Sequence, residues 1–164
     1  MKRFGISFVR GAPHLLALIA GLMLTPVLNV ALARQQLTQG TEVIAVVGLM
    51  FAPAIAAGLA AVLLPGSMID TRRVVVPYVW YGLGGSAVLG FLAFASSSLS
   101  DAEGIIPRST QAQQGSANLM FLLLLIVYFG VPIGVPLVRW VMALRTPTDV
   151  EPLARGQPDE GAPR

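Results

Sequence analysis

Few residues in this chain could do chemistry. There is one histidine, His14, and no cysteine among 164 residues. A bis-histidine haem site within one chain, a histidine-rich metal cluster and thiol redox chemistry are therefore not expected. The eight carboxylates all fall outside the long apolar stretches, so a buried carboxylate for proton-coupled export is missing as well. "GLGGS" at 82–86 has the glycines of a phosphate loop, but no strand precedes it and it lies inside an apolar run. "GGSAV" departs from the nucleophile-elbow pattern because Val88 stands where the last glycine belongs. What remains at depth is Thr25, Asn29 and Ser86, hydroxyl and amide groups whose usual work in a membrane is hydrogen bonding between helices. Asp70, Arg72 and Arg73 cluster in one short loop, where Asp70 is positioned to cap the following helix. Arg72, Arg73 and Arg139 are the expected contacts to anionic headgroups. No catalytic, cofactor or metal site is expected, and the chain reads as a non-enzyme.

The elements that must position these groups are set by the solvent. The chain is 55% hydrophobic and only 12% charged, about half the charge of a soluble domain. Stretches 15–33, 43–64, 74–95 and 119–138 contain no charge and run 19 to 22 residues each. At about 1.5 Å per residue each crosses a hydrocarbon core of roughly 30 Å. Continuous apolar runs without alternation are helices rather than barrel strands. The expected fold is all-α, an integral membrane four-helix bundle occupying 1–144, with a Pro-, Gly- and acid-rich tail, 145–164, that is disordered.

Basic residues orient the spans. Lys2, Arg3, Arg10, Arg72, Arg73, Arg139 and Arg145 share one side, and Arg34 and Arg108 the other. The positive-inside rule then places both termini in the cytoplasm, in a multi-pass protein expected in a bacterial inner (plasma) membrane. A competing reading takes the basic N-terminus and "ALA" at 31–33 as a cleavable signal peptide. The 19-residue run exceeds the usual apolar core of a signal and suits a retained span. A basic pI near 10 reflects these helix-end bases, not a patch for nucleic acid, and no nucleic-acid partner is expected.

Residues 1–14, with Phe4 and Phe8 one turn apart, read either as a short interfacial anchor or as a frayed terminus. The third connection, 96–118, reads as a long polar external loop. Tyr78, Trp80, Tyr81 and Trp140 look like an aromatic belt at one interface, to which Arg139 can snorkel.

In lipid, small residues four apart allow helices to approach closely. Such rows are Ala17/Gly21; Gly48, Ala52, Ala56 and Ala60; Gly82, Ser86 and Gly90; and Gly130/Gly134. The second row is the longest, and an intramolecular helix is its expected partner because short loops hold neighbours close. Val47, Met50, Leu59 and Leu63 lie opposite and suit lipid or a looser contact. Kinks are expected at Pro26, Pro53, Pro132 and Pro136; the last two each remove a ladder hydrogen bond. A broken-helix coordination site is the sharper reading of "YFGVPIGVPLVRW" (128–140), and a tolerated kink the favoured one. The functional expectation is an accessory or scaffold subunit acting through helix packing, with the bilayer and a membrane-protein partner or a homo-oligomer as its company. The alternative is a small transporter or channel-like oligomer for a neutral or lipidic solute, built from Thr25, Asn29, Ser86 and freed carbonyls of the fourth helix.

Overall fold

The computed structural model describes residues 2–34, 39–64, 70–102 and 110–145. The regular structure in these residues is helical. It comprises α1 (Lys2–Ala33), α2 (Gln39–Leu63), α3 (Thr71–Ala102), α4 (Thr110–Phe129), a π-helical turn (Gly130–Gly134) and α5 (Val135–Arg145). Four helical segments are long and apolar enough to cross a membrane: Phe8–Ala33, Gly40–Leu63, Thr71–Ser98 and Gly115–Arg145. The last joins α4, the π turn and α5 into one span. The tail 146–164 lies outside the described residues.

Burial runs opposite to that of a water-soluble bundle. The core is small, with Ala17, Ala54 and Ala57 packed around Tyr78 and flanked by Val74 and Val135. Large apolar side chains point outward, Leu63 at 82% exposure and Phe94 at 70%. Leucine is no more apolar than a lipid tail, so helices in a bilayer gain more from close backbone approach than from hiding leucine. Alanine permits that approach.

The helices are longer than the charge-free stretches. α1 runs without a break from Lys2 through Pro13, so residues 2–14 are its first turns and not a frayed end. α3 continues past 95 to Ala102, and α4 already begins at Thr110. Most of the expected 96–118 loop is thus helical. Within this extension the serine hydroxyls donate back to carbonyls one turn earlier, so they are satisfied inside the helix: Ser96 to Ala93 at 2.8 Å, Ser97 to Phe94 at 2.8 Å and Ser98 to Phe94 at 3.0 Å. At its other end α3 is capped by Asp70. One carboxylate oxygen accepts from the backbone N–H of Arg72 at 3.1 Å and of Arg73 at 3.5 Å.

α1 packs on α2, and α2 on α3. The fourth span crosses this trio obliquely. α4 lies against α3, the π turn touches α1, α2 and α3, and α5 lies against α1. α2 therefore has neighbours over a wide arc. Met50, expected to face lipid or a looser contact, is instead fully buried, its sulfur close to Gly85 of α3. The remaining three of its group, Val47, Leu59 and Leu63, are exposed.

Candidate functional site

The π turn explains the cluster of prolines and glycines. Pro132 and Pro136 cannot donate, which strips α-helical partners from the carbonyls of Tyr128 and Pro132. The chain responds by widening: the N–H of Val135 donates to the Gly130 carbonyl, five residues back. The freed Pro132 carbonyl turns toward α1 and abuts the backbone of Gly21, where a β-carbon would collide with it. Pro132 and Pro136 are both buried. One turn along α1, the Thr25 hydroxyl donates to the Gly21 carbonyl at 2.8 Å and is buried. Pro26 and Pro53 lie within continuous helices.

By bringing α5 onto α1, the crossing assembles a polar cluster inside the bundle. His14 Nδ1 and the Tyr78 hydroxyl are hydrogen-bonded at 2.7 Å, and both residues are buried. The Arg139 guanidinium carbon stands 5.4 Å from the centre of the Tyr78 ring and 5.7 Å from that of Tyr81, within cation–π range. Arg139 Nε is buried with no hydrogen-bond partner. Among the described residues the one ion pair is Arg73 with Asp70, 3.3 Å apart and exposed, so no carboxylate neutralises Arg139. The three groups share one level. His14 lies six residues inside the span beginning at Phe8, Tyr78 seven inside that beginning at Thr71, and Arg139 six before that ending at Arg145. At 1.5 Å per residue this is about 9–10 Å from the helix ends.

A cavity of about 640 Å³ opens beside this cluster, walled by His14, Tyr81, Gly134, Val138, Arg139 and Met142 among others. Arg139 contributes its charge here for a geometric reason. Helical Cα–Cβ bonds tilt toward the N-terminus, and α5 runs outward, so the side chain starts back toward the middle of the span. The sequence groups Arg139 with headgroup contacts and Tyr78 with an interfacial belt. In the fold Tyr78 is only 2% exposed, and the guanidinium lies over two aromatic rings. Trp80 and Tyr81 are exposed, and Trp140 packs near Gly11 of α1. The association of His14, Tyr78 and Arg139 escapes notice in the sequence because His14 and Arg139 each border a charge-free run. Helix ends counted by topology would have found them, since the start of α1, the start of α3 and the end of α5 share one side.

A second, almost wholly apolar hollow of about 610 Å³ runs between α1 and α2. Its floor holds Gly48, Ala52 and Ala56 from the longest small-residue row, together with Ala20 of α1. A β-carbon on Gly48 would meet nothing within 4 Å, so no part of the described chain fills the row at that point. Ala60, the last member, is buried. Of the other small residues, Gly82 sits tightly on Phe51 and the Met50 carbonyl, whereas Gly90, Gly130 and Gly134 have open space where a β-carbon would be. The Ser86 hydroxyl is buried without a partner, and Asn29 accepts from the Tyr128 hydroxyl at 3.2 Å. Thr25, Asn29 and Ser86 thus line neither of these two hollows. Exposed Arg72 and Arg73 lie at the start of α3.

The sequence matches no protein-family model, and neither the curated proteins nor the solved structures contain a significant match.

Proposed function

We propose that this chain is a non-enzymatic accessory or scaffold subunit of a bacterial inner (plasma) membrane, with both termini cytoplasmic. On this reading it works by seating a transmembrane helix of another membrane protein in the hollow between α1 and α2. The observation that carries the reading is the hollow itself, an open, apolar, small-residue floor with Gly48 uncovered. On α2 it reaches from Ala45 to Leu59, about 21 Å at 1.5 Å per residue, most of a hydrocarbon core. An occupant of that length and polarity is a spanning segment. A glycine and two alanines at spacing four let a helix backbone come close enough for dispersion to hold it. A pore formed from Thr25, Asn29 and Ser86 is the weaker reading, since these residues line neither of the two hollows described above.

Native cysteine is absent, so single cysteines can be placed along the hollow in otherwise intact protein. Crosslinking in native membranes should be efficient from positions 48, 52 and 56 and poor from Val43 and Val62, which lie outside the hollow. Gly48→Ile and Ala56→Ile should abolish the crosslinks while helicity and thermal unfolding of the subunit stay unchanged. Crosslinks without this periodicity, crosslinks only to lipid or to a second copy, or isoleucine variants that crosslink as before would each overturn the proposal.

A further inference from the structure

We infer that the cavity beside Arg139 binds the anionic headgroup of a phospholipid, which enters sideways from the bilayer with Arg139 as its counter-cation. This goes beyond the helix-docking role and uses a different face of the bundle. A guanidinium with its Nε buried and unpartnered is costly without an opposite charge or an acceptor. Among the described residues no carboxylate pairs with Arg139, and its Nε has no acceptor. Two tyrosine rings offset part of that cost by facing the cation, but a ring face accepts no in-plane N–H. The fork of donors on arginine matches a phosphate group, and the cavity is where such a group has room. Its volume of about 640 Å³ falls within the range of small-molecule sites.

The lining favours an amphiphile over a free ion. Polar groups come from His14, Tyr81 and Arg139, while Val138 and Met142 on the same wall are exposed large apolar side chains of a spanning helix, which face acyl chains. A headgroup can reach Arg139 while its tails stay against Val138 and Met142. The widened turn keeps the space open: Gly134 lines the cavity, and a β-carbon there would touch nothing within 4 Å.

The test uses the full chain, purified in mild detergent, with native mass spectrometry to count retained lipid. The probes are dioleoyl phosphatidylglycerol, dioleoyl phosphatidylcholine and inorganic phosphate. Wild type should retain phosphatidylglycerol about tenfold more tightly than phosphatidylcholine, the scale of one charge-assisted contact. Arg139→Gln should erase that preference, Arg139→Lys should keep part of it, and Arg72→Gln with Arg73→Gln should leave it intact. Gly134→Leu, which fills the cavity without touching the charge, should lower phosphatidylglycerol retention to the phosphatidylcholine level, and it decides the matter if Arg139→Gln does not fold. Three results would each overturn the inference: no preference in wild type, a preference that survives both Arg139→Gln and Gly134→Leu, or displacement of the lipid by an equal concentration of phosphate, which would mark a free-anion site.

Discussion

Gly21→Ala against Gly48→Ala isolates what the helix crossing is worth. Both changes add one methyl group to a helical glycine, so both share the intrinsic gain of about 0.8–1.0 kcal/mol in helix propensity. They differ in what the methyl group meets. At Gly48 it meets nothing within 4 Å. At Gly21 it overlaps the Pro132 carbonyl, with the carbonyl carbon 2.7 Å away and the Ile133 nitrogen at 3.5 Å. Carbon atoms in contact normally sit about 3.5–4.0 Å apart, so α1 and the fourth span must part by roughly 1 Å. Both sides of the clash are helix backbone, and no side chain can swing away to relieve it. Overpacking of this kind costs about 1–3 kcal/mol. Gly21→Ala should therefore be less stable than Gly48→Ala by about that amount. The assay is reversible unfolding in mixed micelles of mild detergent and sodium dodecyl sulfate, followed by far-ultraviolet circular dichroism. Two variants of equal stability, within about 0.5 kcal/mol, the usual span of a surface change, would refute the close approach of Gly21 to the π turn. The stripe of glycines would then have no packing role at that point.

Two further outcomes are expected. Tyr78→Phe keeps an aromatic ring under Arg139 but removes the 2.7 Å hydrogen bond to His14, leaving a buried imidazole nitrogen unsatisfied. The cost should be about 1–3 kcal/mol in the same unfolding assay, and a double-mutant cycle with His14→Phe should show that removing both partners costs less than the sum. Reporter fusions at residue 37 and near residue 105 should read external, and those after residue 68 and at the C-terminus cytoplasmic; a cytoplasmic readout near 105 would overturn the orientation of α3 and the fourth span.

Much of the architecture was legible because it depends on sums along the chain. The number of spans follows from runs of apolar residues long enough to cross a hydrocarbon core, and four such helices are present. The Asp70 cap was legible too, since capping is an interaction within a few residues. Helix ends were less so. Charge and polarity mark where a chain would leave lipid, whereas a helix can continue beyond that point, as α3 does to Ala102.

What sequence alone determined about this protein is its four helices long and apolar enough to cross a membrane and the presence of a backbone defect at Pro132 and Pro136. Where the defect points was decided only by the fold. The freed Pro132 carbonyl faces Gly21 because the fourth span crosses from α3 to α1 at that turn, and no local rule specifies a crossing. The same crossing carries Arg139 onto Tyr78 and brings Tyr78 to His14 across 64 residues of chain. Each of these side chains, taken singly, suits a membrane interface. Brought together, with no carboxylate beside the cation among the described residues, they make a site, because burial and pairing are properties of three helices and not of any one of them.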